Sequence, residues 1–391
     1  MTSTGGLSRR RVAASASSNT EESDDAWGLN GSSSRHTPTP SLSNSTTSTT
    51  NGAVTHAGSA FQGGSKIAYD PRDLEREDED ARQGGKAPRL TIMEEVLLLG
   101  LKDKQGYLSF WNDNISYALR GCILIELALR RRVALVRDPS RRQLPVSERV
   151  VEVIDTRLTG ETILDEALKM MKQQEATAEK LAVNTWIDLL SGETWNVMKI
   201  GFQLKQVRER LAKGLVDKGV LRTEKRNFLL FDMATHPVAD MRTKDAIISR
   251  MVALLTSTTS AVPPNALERE GTQARVMRAV CLAGAAYAAS VLDNAFGRLT
   301  YEEREAAFQR CDDLLAEFAT WPFGSGSASS NTGNKRREAA RIGMGSSGVS
   351  GREAVLGLVQ EIKKEMMSDE DLCFELVAGV LEVLSKLDSL L

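Results

Sequence analysis

LTIMEEVLLLGLKDKQGYLSFWNDNISYALRGCILIELALRRR, residues 90–132, carries two long apolar runs that read as neighbouring helices. Thr91 followed by Glu94 makes a capping box ahead of MEEVLLLGL, so order begins at Leu90. The second run sets a lone Arg120 inside a helix that is apolar apart from Glu126, with Trp111 just ahead of it. Placing a permanently charged guanidinium there costs several kcal/mol unless an anion meets it. The sequence therefore asks for an anion, and two sources fit: a carboxylate elsewhere in the fold, or a phosphate brought in by a ligand.

Working outward, the pattern stays helical. Periodicity predicts helices near residues 91–101, 114–130, 161–174, 180–190, 195–218, 241–256, 267–293, 300–318, 352–367 and 369–390. The expected fold is mainly α: a single globular helical domain over 89–391, with a helix-bundle core and surrounding amphipathic helices. One exception is VLRTEKRNFLLF, residues 220–231, whose two short extended runs around Glu224 to Arg226 read as a small β-hairpin. Another is the Gly/Ser-rich stretch 324–351, with a basic NKRREAAR island, expected to be a disordered loop interrupting the domain. Residues 1–88 are rich in Ser, Thr, Gly, Asn and Asp and read as a disordered arm, because they hold too little apolar surface to offset their ordering entropy.

Charge is nearly balanced, 50 basic against 52 acidic side chains, so any basic patch must come from local clustering. That argues against a general nucleic-acid binder. The four cysteines are far apart in sequence with no CxxC pair, and read as reduced core thiols. The N-terminus lacks the apolar segment of a secretory signal, which points to a cytosolic start. The longest uncharged apolar run, Ala279 to Leu292, is 14 residues, too short to span a bilayer, so any membrane association is expected to be peripheral.

Basic residues recur in three places. Lys205 and Arg208, three apart on the predicted helix 195–218, project from one face, which by spacing alone is a solvated stripe. Arg222, Lys225 and Arg226 precede Phe228, Leu229, Leu230 and Phe231, coupling charge to apolar side chains; this suits an anionic membrane surface, an inward-packing strand or contact with another subunit. Arg9, Arg10 and Arg11 are the arm's basic cluster. His236 before Pro237 has no sequence neighbour to work with and reads as structural. Gly343-Met-Gly345-Ser-Ser-Gly348 fits GxGxxG but follows a polar run with no βαβ unit around it, so it is linker. No metal, nucleophile or acid/base motif stands out, and the chain is read as neither an enzyme nor a cofactor carrier.

The opening block, together with WIDLLSGETWNVMKIGFQLKQVRER at 186–210 and NFLLFDMATHP at 227–237, resembles the Golgi phosphoprotein 3 family and its yeast vacuolar-sorting homologues over most of 90–318. The stretch 324–351 departs from that family's pattern. The resemblance implies a peripheral adaptor on the cytosolic face of Golgi membranes, with a cytosolic pool. Such an adaptor binds phosphatidylinositol 4-phosphate and links the cytoplasmic tails of Golgi glycosyltransferases to the COPI coat. Carried over residue by residue, it implies a phosphate pocket of Trp111, Arg120, Lys205 and Arg208, membrane contact or self-association through the hairpin, and coatomer binding by Arg9, Arg10 and Arg11. The competing expectation is a helical scaffold whose basic residues bind acidic proteins without lipid recognition.

Overall fold

The computed structural model describes residues 85–108, 114–177, 179–194, 196–228, 231–325 and 347–387. In chain order its helices are α1 (Ile92–Gly100), α2 (Asn114–Leu129), α3 (Thr162–Thr177), α4 (Val183–Ser191), α5 (Val207–Asp217) and α6 (Met241–Thr256), then α7 (Arg275–Ala288), α8 (Leu292–Ala295), α9 (Tyr301–Phe318), α10 (Ser347–Glu365) and α11 (Leu372–Ser385). Two antiparallel strand pairs complete it: β1 (Val133–Leu135) with β2 (Val151–Val153), and β3 (Glu224–Phe228) with β4 (Phe231–Thr235).

Helix α2 is the axis. All its residues except Asn114, Ser116 and Tyr117 are buried, as an all-round hydrophobic helix requires. Around it pack α1, α3, α4, α7 and α11, while α5 and α6 cover α1, and α9 and α10 close the far side over α7. Contact is close enough to need glycine: a β-carbon on Gly379 of α11 would lie 2.7 Å from the Val146 carbonyl oxygen.

The expected capping box is present, with the Thr91 amide donating to Glu94 Oε2 at 2.8 Å and the Glu94 amide to Thr91 Oγ1 at 3.3 Å. Glu126 anchors the core just behind it. Its carboxylate accepts from the Ile92 amide at 2.7 Å, from both terminal nitrogens of Arg278 at 2.8 and 3.1 Å, and from Arg130 Nε at 3.1 Å. Burial pushes this carboxyl's pKa up, but Arg278, Arg130 and the hydrogen bonds outweigh it and hold the pKa at about 2. A second buried carboxylate, Glu375 on α11, receives Arg141 at 3.0 Å and Arg149 at 2.5 Å.

Several expectations shift. The predicted helix 195–218 is broken: a 3-10 turn runs over Val197–Phe202, the chain then extends through Gln203, and α5 begins only after Gln206 in the left-handed region at φ 53°. The predicted helix 267–293 is shorter, because residues 267–274 run past Gly271 (φ 86°) to pair with Lys86, and Ser290 (φ 54°) interrupts its end. In the hairpin, Glu224 to Arg226 do not form the turn. They lie within β3, the second strand is FDMAT, and Phe228 pairs with Phe231 as the last rung. The charges are tolerated there because a two-stranded ribbon leaves them at the surface, and Arg222 and Arg226 both approach Glu224, at 2.7 and 3.7 Å. The short β1–β2 pair escaped the sequence reading. Helix α10 starts at Ser347, inside the stretch expected to be a loop; residues 326–346 of that stretch, and the arm up to residue 84, lie outside the described residues.

Candidate functional site

Arg120 sits midway along α2 and is 6% exposed. Its Nε donates to the Leu190 carbonyl at 3.3 Å, one terminal nitrogen to the Leu204 carbonyl at 2.8 Å, and the other to Ser116 Oγ at 2.6 Å and the Ser116 carbonyl at 3.0 Å. Leu190 lies near the end of α4 and Leu204 just ahead of α5, so one guanidinium clasps both stems of the loop 191–203. The stems also bond each other, with the Leu204 amide donating to the Leu190 carbonyl at 3.1 Å.

Local sequence explains why the loop closes here. Gly192 ends α4 in the left-handed region (φ 87°), and a β-carbon on it would lie 2.4 Å from Gln203 Nε2. Asn196 caps the 3-10 turn, its side-chain oxygen accepting from the Met198 amide at 3.0 Å. Phe202 roots the turn edge-on against the buried Trp186 ring, centroids 5.9 Å apart.

Beyond the clasp the chain delivers its cations. Lys205 belongs to the peptide unit whose carbonyl Arg120 holds; it is exposed and sits in the turn before α5 rather than on a helix face. Arg208 is half-buried in the first turn of α5. Lys205 thus follows directly on the residue that Arg120 holds, and Arg208 lies one turn further on in α5, rather than both standing on the single helix face that their spacing suggested. Gln206, at the N-cap, makes no side-chain bond to the first-turn amides. Farther along α5, Arg210 pairs with Glu166 at 2.5 Å and Lys213 with Glu209 at 3.0 Å. Acidic groups border the site: Tyr117 donates to Asp188 at 2.6 Å, and the Glu193 carboxyl is pushed up by burial and by Asp188 against the opposing pull of Arg120. Trp111 lies outside the described residues.

The geometry can be set beside known proteins. The family model described as Golgi phosphoprotein 3 (GPP34) matches residues 92–342. The chain belongs to the Golgi phosphoprotein 3 family. It is 49% identical over 390 residues, 99% of both chains, to the vacuolar protein sorting-associated protein 74 of Schizosaccharomyces pombe. To the protein of the same name from Eremothecium gossypii it is 47% identical over 328 residues, covering 83% of this chain and 90% of that one. In this Golgi phosphoprotein 3 family member the matched span holds α1 to α9, with the clasp and the hairpin, while α10 and α11 lie past it and finish the core.

The hairpin stands on the loop that follows α1. The His236 amide donates to the Gly106 carbonyl at 2.8 Å, the Val238 amide to Asp103 at 3.0 Å, and Arg226 to the Lys104 carbonyl. Gly106 (φ 70°) permits this, since a β-carbon there would lie 2.2 Å from the Pro237 nitrogen. His236 is buried, and burial lowers its pKa, which fits its structural reading. Lys225 is exposed. Leu229 and Leu230, the side chains of Phe228 and Phe231, and Arg9, Arg10 and Arg11 lie outside the described residues. Sequence reasoning missed Ser116, Leu190 and Leu204, because all three act through backbone carbonyls that carry no side-chain signature, Ser116 adding its hydroxyl. Among the described residues no helix is long and apolar enough to cross a membrane.

Proposed function

We propose that this protein is a peripheral adaptor on the cytosolic face of Golgi membranes that binds phosphatidylinositol 4-phosphate and links glycosyltransferase tails to the COPI coat. The observation that carries the reading is the clasp: Arg120 fixes the peptide between Leu204 and Lys205, so Lys205 and Arg208 start from a rigid base at the N-terminus of α5. A monoester phosphate has up to two negative charges and several acceptor oxygens, and suits a lysine, an arginine fork and the N-terminus of a helix. Trp111 would wall this pocket. The hairpin, with Arg222, Lys225, Arg226 and Phe228 to Phe231, would rest on the bilayer or on a second copy of the chain, and Arg9, Arg10 and Arg11 would engage coatomer. Each contact is weak alone, and their linkage makes the sum selective.

Arg120 holds the site together from below, whereas Lys205 and Arg208 face the ligand. Co-sedimentation of the full chain with vesicles carrying different phosphoinositide isomers tests the pocket. The wild type should prefer the 4-phosphate, and Lys205→Ala with Arg208→Ala should lose that preference at an unchanged melting temperature. Equal binding by both proteins would refute the pocket, and capture of acidic proteins with no lipid binding would favour the scaffold reading. For the arm, changing Arg9, Arg10 and Arg11 to Ala should abolish a coatomer pull-down; retention would leave coat recruitment to the folded domain.

A further inference from the structure

Met198 is 89% exposed and Ile200 46% exposed, on the 3-10 turn of the clasped loop. Scattered exposed apolar side chains need no explanation, but these two share one six-residue turn and one is almost fully in water. The turn is also held rigidly outward. Its root is Phe202 on Trp186, its entry is capped by Asn196, and its two stems are joined under Arg120. An apolar tip held this way is not a core residue that failed to reach the core.

Its surroundings indicate what covers it. Lys199 stands between Met198 and Ile200, and exposed Lys205 lies just past the stem. One cation between the two apolar side chains and a second beyond them match the boundary of an anionic bilayer, where the cations meet headgroups and the apolar groups enter hydrocarbon. We infer that the 3-10 turn Val197–Phe202 is a membrane-inserting element, with Met198 and Ile200 entering the acyl region while Lys199 and Lys205 stay at the headgroup level. This rests on the membrane-adaptor reading and adds a second insertion point to the hairpin, fixed to the phosphate site by Arg120. The loop then sets the depth and tilt at which Lys205 and Arg208 meet a headgroup.

The test uses the full chain and phosphatidylcholine vesicles with and without phosphatidylinositol 4-phosphate. Cys122, Cys281, Cys311 and Cys373 are all buried, so a cysteine placed by Met198→Cys accepts an environment-sensitive fluorophore selectively. With the phosphoinositide present, the label should shift to the blue and be quenched by lipids carrying a quencher in their acyl chains. Met198→Ser with Ile200→Ser should weaken vesicle partition by roughly tenfold or more, the order expected for withdrawing two apolar side chains from hydrocarbon, while preference among isomers persists. If the wild type sediments with phosphoinositide vesicles but the label stays water-like and the double variant binds equally, the insertion is overturned and the adaptor reading stands; the loop is then a surface for a protein partner. If the wild type binds neither vesicle, both fall together.

Discussion

Two buried arginines of this molecule, Arg278 at 3% exposure and Arg120 at 6%, meet their desolvation in opposite ways. Arg278 on α7 lies against the Glu126 carboxylate, charge against charge, in the middle of the core. Arg120 on α2 spends its donors on the carbonyls of Ser116, Leu190 and Leu204 and on the Ser116 hydroxyl, with Glu193 near enough for its charge to be felt. The first arrangement neutralises a charge and fixes helices. The second fixes backbone and keeps positive potential under a surface where two more cations stand. Burial alone therefore does not tell an arginine that neutralises a charge from one that ties backbone; the acceptors do.

Breaking the first pair should have the largest effect. Arg278→Ala leaves a buried carboxylate without its main partner and should cost about 3–5 kcal/mol in urea or thermal unfolding. The same carboxyl gives the pair a pH signature. Its folded pKa of about 2 lies below the ordinary 4.5, so its contribution is complete above pH 4.5 and is lost as pH falls toward 2. That contribution is about 3 kcal/mol, and Glu126→Gln should remove its part of the acid slope in unfolding measured across this range. Arg120→Ala should cost less, about 2 kcal/mol, by leaving the stem carbonyls unmatched, and it should also abolish preference for the 4-phosphate. Arg120→Lys sharpens the contrast: it keeps the charge but cannot reach both stems, so stability and lipid preference should fall together. If Arg120→Lys matches the wild type in both, the clasp is not what positions Lys205. Glu224→Ala in the exposed hairpin should have the smallest effect, leaving the midpoint of the same unfolding assay unchanged within error.

Much of the fold could be read from the chain because its signals were local. The Thr91–Glu94 box, the uniform hydrophobicity of α2 and the span of α6 depend on neighbours within a turn or two, and the structure reproduces them. The broken helix at 195–218 depends instead on a contact across the fold. Its periodicity continues through Gln206, but Arg120 draws the Leu204 carbonyl out of any helical ladder, and a residue on α2 is not visible in that window. Register in the hairpin was misjudged for a related reason: charged residues look like a turn until their pairing with Arg222 and Arg226 is known. The sequence asked for an anion at Arg120, but its hydrogen bonds among the described residues go to three carbonyls and a hydroxyl, and main-chain acceptors cannot be read from the identity of side chains.

The clasp at Leu190 and Leu204 has an architectural consequence. Because Arg120 pins the main-chain oxygens of Leu190 and Leu204 to α2 and Phe202 rests on Trp186, the base of the 3-10 turn is set independently of its exposed tip at Met198 and Ile200. Its tip can be lengthened, shortened or recoded while the base keeps its geometry. Substitutions at Met198 and Ile200 therefore change the surface that the turn presents without repacking a helix.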